Sequence, residues 1–260
     1  MNNSATSAGT ALQLEGIDFS YATSSDGTNG QLYEGFSLCI EPGSIVAIMG
    51  ASGSGKSTLG RIMAGVLTPQ KGSVRRSPDF TQPSDIVYVD QHPMNDVFPW
   101  QTVLENVRYP LEKLKWDGPR RRERSCYLMT LFRLGALANA YPAHLSGGEL
   151  QRLALSRCLS WRPKLVILDE PFSALDGKVK AEITSALHEL ALKDRTTMVL
   201  ITHNVSDALA LGMRCVVIAN RPVRIISDLE FLNGFPRDNS SPDYDAMHQA
   251  LISGIRDGLV

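Results

Sequence analysis

The sequence lacks any uninterrupted apolar run approaching the about 20 residues that a membrane-spanning helix needs. Its start, MNNSATSAGTA, is small and polar, without the basic and apolar segments of a secretory signal. The formal net charge is only −1, so no overall positive field attracts nucleic acid. We therefore expect a chain that meets a membrane, if it meets one, from the side.

Cysteines are few and form no recognisable framework. The four are Cys39, Cys126, Cys158 and Cys215, with no C-x-x-C pair and no histidine at metal-ligand spacing. We expect reduced thiols in a cytosolic protein rather than disulfides or structural zinc. The hydrophobic content of 43% and the charged content of 20% are those of a soluble globular protein.

A glycine-rich stretch, GASGSGKST at residues 50–58, satisfies the pattern G-x-x-x-x-G-K-[ST]. Its glycines let backbone N–H groups point at phosphate oxygens. Lys56 adds a positive charge, and the Ser57 hydroxyl can bind Mg²⁺. A Gly/Ser-rich linker is the alternative, but a linker needs neither the lysine nor the flanking strand and helix patterns. The predicted nucleotide-binding residues are Gly50, Ser52, Gly53, Ser54, Gly55, Lys56, Ser57 and Thr58.

An apolar run at residues 165–168 ends in two carboxylates, Asp169 and Glu170. In a phosphate-binding α/β fold, such a strand end lies beside the phosphate loop. We expect Asp169 to hold Mg²⁺ through its water shell and Glu170 to polarise the attacking water. An acidic strand terminus without chemistry is the alternative interpretation.

A serine followed by two glycines, in LSGGE at residues 145–149, stands at the start of a predicted helix. This arrangement is a second helix N-terminus able to bind an anion. A helix N-cap with a glycine turn is the alternative interpretation.

The order of patterns along the chain indicates an α/β fold. Residues 12–21 and 32–40 predict an antiparallel hairpin, and Lys71–Arg76 reads as a basic turn region. Helical patterns broken by prolines follow, and beyond them strands alternate with helices. We predict a P-loop NTPase fold with a mostly parallel sheet, an N-terminal antiparallel β subdomain and an inserted helical subdomain.

We expect a disordered tail over residues 1–11, an ATPase domain over 12–230 and a C-terminal extension over 231–260 with a short helix. The helical subdomain should cover about 92–145. It contains a basic cluster that could bind an acidic surface, although a solvated helix face is the simpler interpretation. The cluster consists of Arg120, Arg121, Arg122 and Arg124.

With these motifs in this order, the chain resembles the ATP-binding-cassette (ABC) ATPases over roughly residues 12–230. Gln91 matches the glutamine loop, residues 145–149 the signature, residues 173–176 the D-loop and His203 the switch histidine. The resemblance implies ATP and Mg²⁺ as cofactors and two copies that close head to tail. It extends the nucleotide-binding set to Tyr21, Ser146, Gly147, Gly148 and Asp176.

Roles follow from the same resemblance. Ser146 and Gly148 of one copy would contact the γ-phosphate bound by Lys56 of the other. Gln91 would contact Mg²⁺ or the attacking water, and His203 would clamp the γ-phosphate. Tyr21 matches the aromatic residue that stacks on the base. The alternative interpretation is an ordinary core tyrosine at the end of a strand.

The spacing between motifs narrows the group of ABC ATPases that the chain can belong to. Only 96 positions separate Gly50 from Ser146, which leaves no room for the long coiled coil of chromosome-maintenance relatives. The sequences VFPW at residues 97–100 and ANRPVRII at residues 219–226 resemble the nitrate, sulfonate and taurine importer ATPases. One departure is an insertion of about two residues between Gln91 and the Pro99-Trp100 pair, in the region expected to receive a permease's coupling helix.

The resemblance implies an energy-coupling subunit on the cytoplasmic face of the inner membrane. Its partners would be a second copy, an integral-membrane permease and, indirectly, an extracytoplasmic solute-binding protein, with no nucleic acid. The alternatives are a detached exporter ATPase and a soluble ABC ATPase acting on nucleic acid, which would need a basic face. Neither the solute nor the permease can be read from this chain.

Overall fold

The structure is a computed structural model that describes residues 9–21, 30–114, 116–173, 175–231, 237 and 241–257. Most of the expected N-terminal tail, residues 1–8, and most of the turn after the first strand, residues 22–29, lie outside the described residues. So does part of the expected C-terminal extension, at residues 232–236, 238–240 and 258–260.

Nine strands and seven α-helices make up the described chain. The strands are β1 Leu12–Ser20, β2 Gln31–Ile40, β3 Ile45–Met49, β4 Lys71–Arg76, β5 Ile86–Val89, β6 Leu165–Asp169, β7 Thr197–Thr202, β8 Arg214–Ala219 and β9 Arg224–Glu230. The helices are α1 Lys56–Ala64, α2 Val103–Lys113, α3 Gly118–Leu131, α4 Gly147–Ser160, α5 Gly177–Asp194, α6 Val205–Leu211 and α7 Pro242–Asp257. They divide between two compact units, unit 1 at Met1–Thr81 with Thr197–Val260 and unit 2 at Gln82–Thr196.

An antiparallel sheet of order β2-β1-β4 opens unit 1, which confirms the predicted β1–β2 hairpin. Buried residues alternate along β1, but a register shift at Gly16 moves the inward face from Leu14 to Ile17. Gly16 takes a φ of +58°, a left-handed conformation that suits a glycine in a bulge. Ala11, directly before β1, is already hydrogen-bonded to this sheet, since its N–H donates to the Ile40 carbonyl at 2.8 Å.

The prediction of a turn at Lys71–Arg76 is wrong, because these residues form β4 and pair antiparallel with β1. β4 lies at the sheet edge and only its middle is half-buried, so its sequence shows too little apolar alternation to predict a strand. Its charges instead pair across the strands, with Lys71 3.1 Å from Asp18 and Arg75 2.9 Å from Glu15.

The second sheet segment of unit 1 has β3 between β7 and β8, all parallel, with β9 antiparallel to β8. Every residue of β3 and β7 is buried, and both strands read as continuous apolar runs, as strands covered on both faces do. The register pairs Met49 with Thr202 at the carboxyl ends of β3 and β7. The segments that follow these two strands, which hold the glycine-rich stretch and His203, therefore start side by side.

Unit 2 combines a parallel strand pair with the predicted helical insertion. β5 and β6 pair in register from Ile86 with Leu165 to Val89 with Leu168, so both strands end at one edge. Helices α2, α3 and α4 pack on one another around buried side chains such as Val107, Leu128 and Leu153. Each of these side chains stands on the apolar face of its own helix.

The fold class predicted from the sequence is confirmed. The chain is an α/β protein with a mostly parallel sheet, an antiparallel β subdomain and a helical subdomain. Among the described residues, no helix combines the length and the hydrophobicity that crossing a bilayer requires.

Candidate functional site

The glycine-rich loop of unit 1, residues 50–55, turns sharply between β3 and α1. A β-carbon at Gly50 would lie only 2.4 Å from the Ile218 carbonyl oxygen, so a side chain cannot fit there. Gly55, with a φ of +96°, adopts a left-handed conformation that costs other residues energy. The Ser54 N–H donates to the Ala51 carbonyl at 3.1 Å and closes the turn.

The N-terminus of α1 has no side-chain cap. Gly55 is its N-cap residue, and no acidic residue stands in the first turn. The first backbone N–H groups of a helix lack intrahelical acceptors and carry partial positive charge. An anion is therefore the natural partner for this helix start.

Lys56 is buried, with only 6% of its surface exposed, and its charged end folds back across the loop. Its Nζ donates to the carbonyls of Gly50 at 2.9 Å and Ala51 at 2.8 Å. Within the described residues, the buried Ser54 Oγ has no hydrogen-bond partner. A charged donor and an unpartnered hydroxyl in one loop fit the phosphate groups of a nucleotide.

Tyr21, at the end of β1, is held against the P-loop helix. Its hydroxyl is hydrogen-bonded to Thr58 Oγ1 at 2.8 Å, and Phe19 contacts its ring edge-on at 5.1 Å. The ring remains 51% exposed. Tyr21 is therefore not a core tyrosine, and an aromatic face stands open beside the phosphate loop.

His203 follows β7 directly and is exposed. The next residue, Asn204, caps α6 by accepting hydrogen bonds from the N–H groups of Ser206 and Asp207. The Asn204 N–H in turn donates to Thr202 Oγ1 at 3.1 Å, which fixes the turn that carries His203.

In unit 2, β6 ends in a buried carboxylate and a strained backbone. Asp169 is 2% exposed and accepts a hydrogen bond from the Tyr88 hydroxyl. Glu170 has a φ of +48°, a left-handed conformation that is uncommon outside glycine. Such strain persists where the surrounding structure fixes it, often at functional sites.

Gln91 is exposed and follows β5, and the insertion after it forms a compact turn. Residues Pro93–Asp96 make a short 3₁₀ helix, and the Asp96 carboxylate accepts from the Asp90 N–H at 2.8 Å. Arg157 of α4 donates to the Asp96 carbonyl at 2.6 Å. Burial raises the pKa of Asp96 to about 7, although its hydrogen bond from Asp90 acts in the opposite direction.

The signature segment starts α4 with a reciprocal cap. The Glu149 carboxylate accepts hydrogen bonds from the Ser146 N–H at 2.8 Å and from its hydroxyl at 2.7 Å, and the Glu149 N–H donates to the Ser146 oxygen. These bonds lower the pKa of Glu149. Ser146 and Gly147 are exposed, while a β-carbon at Gly148 would come within 3.3 Å of Val179.

Asp176 caps the next helix, α5. Its Oδ1 accepts from the Val179 N–H at 2.9 Å, and its side chain is exposed. Ala174 of the proposed D-loop lies outside the described residues. The N-cap interpretation therefore describes both Ser146 and Asp176, and nothing in these bonds prevents an additional contact with a ligand.

Three contacts at these residues escaped sequence reasoning. The buried Tyr33 hydroxyl donates to the Gly55 carbonyl at 2.8 Å, and Arg221 donates to the Gly53 carbonyl at 3.0 Å. Burial raises the pKa of Tyr33 above its usual value. Tyr88, the third, binds Asp169 from the neighbouring strand. No local pattern marks these residues, because their partners are distant in sequence.

The candidate residues thus form two sets, one in each unit. Unit 1 brings together the phosphate loop, Tyr21 and the segment that starts with His203. Unit 2 places Gln91 and Glu170 at one edge of the β5–β6 pair. It also places Gly148 against the start of α5, which Asp176 caps.

Comparison with known proteins identifies relatives along most of the chain. A family model described as ABC transporter matches residues 33–173, just over half of the chain. A probable sulfate/thiosulfate import ATP-binding protein of Chlorella vulgaris is 38% identical, over 79% of this chain and 89% of the relative.

Two bacterial relatives and one solved structure agree with this match. An aliphatic sulfonates import ATP-binding protein of Bacillus subtilis is 32% identical over 88% of both chains. A nitrate import ATP-binding protein of Synechocystis is 37% identical, over 78% of this chain and 76% of the relative. A dimeric ATP-binding cassette, solved in a post-hydrolysis state with ADP and Pi, is similar at a TM-score of 0.72 and 30% identity, covering 86% of this chain and 100% of that one.

Proposed function

This chain belongs to the ABC transporter family and is an ABC-type ATPase that binds ATP, and from that premise we propose that it is the energy-coupling subunit of a bacterial importer. The observation that carries the proposal is the P-loop. There, a buried lysine and an uncapped helix N-terminus converge where phosphates bind.

In this proposal, residues Gly50–Thr58 bind the phosphates of ATP. The Lys56 ammonium exchanges loop carbonyls for phosphate oxygens, which are stronger acceptors because they are charged. The exposed ring of Tyr21 stacks on the base, and its bond to Thr58 keeps it in place.

Mg²⁺ is the proposed metal, since the chemistry of the candidate ligands fits it. Ser57, Gln91 and Asp169 offer a hydroxyl, an amide and a carboxylate oxygen, and Mg²⁺ prefers oxygen ligands. The Tyr88 hydroxyl orients the Asp169 carboxylate and satisfies one of its oxygens. When bound, Mg²⁺ would neutralise negative charge on the phosphate oxygens.

Glu170 is the proposed general base for hydrolysis. Its left-handed backbone directs the residue after β6 out of the strand geometry, and the Ser173 N–H donates to its carbonyl at 3.2 Å. These features fix the Glu170 backbone, and its carboxylate can accept the proton of an attacking water. Gln91 and His203 would orient that water and the γ-phosphate, which is positioning rather than proton chemistry.

Two copies of the chain would form the working unit, as in the dimeric cassette that it resembles. Ser146, Gly147 and Gly148 of one copy, together with Asp176, would complete the nucleotide site of the other. The exposure of Ser146, Gly147 and Asp176 supports this, because a second copy can reach them.

An integral-membrane permease is the proposed partner of unit 2. Trp100 is 70% exposed and stacks on Phe98 at 5.2 Å, and Met94 of the insertion is 43% exposed. Exposed apolar side chains close in sequence are typical of protein-binding surfaces. The ring stack and the Arg157 guanidinium, 4.1 Å over the Phe98 ring, hold Phe98 and Trp100 in place.

The solute would be a small one of the nitrate, sulfonate or taurine type or a related one. Relatives are named for sulfonates, nitrate and sulfate or thiosulfate, and also for spermidine/putrescine, so their names do not fix its charge. The solute would be delivered to the permease by an extracytoplasmic binding protein. The chain would then work at the cytoplasmic face of the inner membrane.

Replacement of Glu170 tests the proposed activity directly. Glu170→Gln should keep ATP binding and lose turnover by about 100- to 10,000-fold, the range that general-base catalysis supplies. The measurement is phosphate release at saturating ATP, alongside equilibrium ATP binding. Glu112→Gln, an exposed glutamate of α2, is the matched control and should leave turnover unchanged. Parental turnover in Glu170→Gln would overturn the assignment of the base.

Co-purification from gently solubilised membranes separates the importer from its alternatives. A permease together with a solute-binding protein supports import. A permease without a solute-binding protein points to export. ATPase activity stimulated by nucleic acid, with no membrane partner, would replace the transport proposal.

A further inference from the structure

A second charged pocket lies within unit 2 and involves no residue assigned above to nucleotide binding or hydrolysis. Its volume is about 280 Å³, and its basic and aromatic lining comprises Trp116, Arg120, Arg124, Tyr127, Arg162 and Lys193. Arg120 and Arg124 of this lining belong to the basic cluster of α3, which the sequence suggested was a solvated helix face. That interpretation is wrong for Arg124, which is only 8% exposed.

The acidic side chains of the pocket do not neutralise its basic ones. Four basic side chains and two acidic ones, Glu123 and Asp194, line the pocket, which leaves it a net charge of +2. One of the acids, Asp194, already accepts from Arg124 at 2.6 Å and Arg162 at 3.3 Å. Arg120 and Lys193 form no ion pair with any described residue. Their charges are therefore available to a ligand.

Arg124 supplies an independent observation. Its guanidinium donates to Asp194 and to the Leu159 carbonyl at 3.2 Å, but its buried Nε has no hydrogen-bond partner among the described residues. Buried donors in proteins are almost always paired with protein groups, water or ions. The chain therefore does not satisfy every donor of the Arg124 guanidinium, which leaves part of its hydrogen-bonding capacity to a water or an ion.

The aromatic rings hold the cations in place. Arg120 lies over the Trp116 ring at 4.0 Å, and Lys193 lies over the Tyr127 ring at 3.6 Å. Arg162 and Arg124 approach the same two rings, at 5.7 and 5.4 Å. Because each ring already contacts two cations, neither ring is well placed to stack on a nucleobase. The rings instead preorganise a cluster of positive charge.

The volume of the pocket also favours a small anionic ligand. A pocket of about 280 Å³ lies just below the range of about 300–1,000 Å³ that is typical of sites for drug-sized ligands. Guanidinium groups match the oxygens of phosphate-like groups by forming paired, charge-assisted hydrogen bonds. A compact, multiply charged oxyanion suits both the size and the donors.

We propose that this pocket of unit 2 is a second anion site that binds a small oxyanion of the phosphate or sulfate class through Arg120, Arg124 and Lys193. It acts independently of the P-loop and would be occupied whether or not ATP is bound. The inference does not rest on the transport function proposed above, since it depends only on contacts among α3, α5 and the segment after α4.

Calorimetric titration of the full chain with inorganic phosphate and with sulfate tests the site. The P-loop itself binds anions, so the titration uses the Lys56→Ala background, with chloride added to hold ionic strength constant. We expect saturable binding of one anion per chain. Arg120→Gln or Lys193→Gln should each weaken it about tenfold or more through the loss of charge-assisted bonds.

Arg122→Gln is the matched control, because Arg122 is an exposed neighbour on α3 that does not line the pocket. It should leave anion binding unchanged, and the thermal midpoint without anion shows whether each variant remains folded. With Lys56 intact, Lys193→Gln should also leave ATP turnover unchanged. A phosphomonoester titrated in parallel distinguishes a free inorganic ion from a phosphorylated metabolite, because only an open pocket accepts the substituent.

Binding no stronger than that of chloride would overturn the proposal. Equal losses in Arg122→Gln and Arg120→Gln would also overturn it, because they would show a general charge effect. If Arg120→Gln does not fold, Lys193→Gln decides alone, because its exposed side chain makes no ion pair that folding needs.

Discussion

Helices α1 and α4 both begin with a glycine-containing turn, yet the bonds in their first turns differ. α1 starts after Gly55 with no side-chain cap and no acidic residue in its first turn. α4 starts after Ser146 with a complete capping box, in which Glu149 accepts two hydrogen bonds from Ser146. One helix start is open to an external anion, and the other is satisfied by its own side chains.

The difference explains why the two segments suit different tasks. An uncapped N-terminus beside a buried Lys56 can bind phosphate by itself. At α4, the Glu149 carboxylate partly neutralises the positive end of the helix. We infer that the α4 turn of one copy contacts only a nucleotide that is already bound by the P-loop of the other copy. The P-loop would then supply most of the binding free energy.

Among changes at the two helix starts, removal of the P-loop charge should have the largest effect. Lys56→Ala should weaken ATP binding by about 100-fold or more, because two charge-assisted hydrogen bonds at about 1.5–3 kcal/mol each are lost. Equilibrium binding of ATP measures this. Lys178→Ala, an exposed lysine in the first turn of α5, is the control and should bind ATP normally. Unchanged binding in Lys56→Ala would show that the α1 turn is not the primary anion site.

A replacement at the other helix should separate binding from turnover. Ser146→Ala should leave ATP binding by one copy unchanged but lower ATP turnover by about tenfold or more, since one charge-assisted contact is lost only in the closed pair. Parallel binding and phosphate-release assays measure the two effects.

Mixing the two impaired variants sharpens this test. In a mixed pair of Ser146→Ala and Lys56→Ala chains, one of the two shared sites keeps both an intact Lys56 and an intact Ser146. Turnover should therefore recover partly on mixing. No recovery, with mixed pairs shown to form, would contradict the sharing of sites between copies.

The smallest effect should come from the charge of the α4 cap. Hydrogen bonds from Ser146 lower the pKa of Glu149 in the folded chain, so the unfolded chain takes up this proton at a higher pH. The stabilisation is present above the usual glutamate pKa of 4.5 and is lost as the pH falls through the lowered value. Glu149→Gln keeps the cap shape and should reduce the free energy of unfolding at pH 7 by about 0.3–1 kcal/mol.

Denaturant unfolding of both forms at several pH values measures this difference. The gap between Glu149→Gln and the parent should close in acid. A gap that persists unchanged below the folded pKa of Glu149 would show that side-chain shape, rather than charge, makes the contribution. The α1 start has no acidic cap to titrate, so it offers no counterpart to this pH dependence.

Much of the fold was predictable because its signals are local. Buried parallel strands such as β3 and β7 read as continuous apolar runs, and the P-loop follows from the spacing of glycines and Lys56. In contrast, β4 was missed, because an edge strand buries little and its charges pair with partners on β1.

Within the candidate site, the sequence predicted which residues take part but not the backbone conformations and hydrogen bonds that hold them in place. The sequence placed Glu170 after a buried strand, but only the structure shows its left-handed backbone. Likewise, the bond from Arg221 to the Gly53 carbonyl joins residues 168 positions apart. No periodicity records such a contact.

The sequence by itself determined the α/β fold class, the P-loop and the family, because each depends on residue type and spacing within short segments. Only the tertiary structure decided which helix start stays open, where Lys56 places its charge, and that Arg124 is buried beside Asp194 in a second cationic pocket. These features depend on side chains brought together from distant parts of the chain. There, burial rather than sequence spacing sets how strongly each charge interacts with its neighbours.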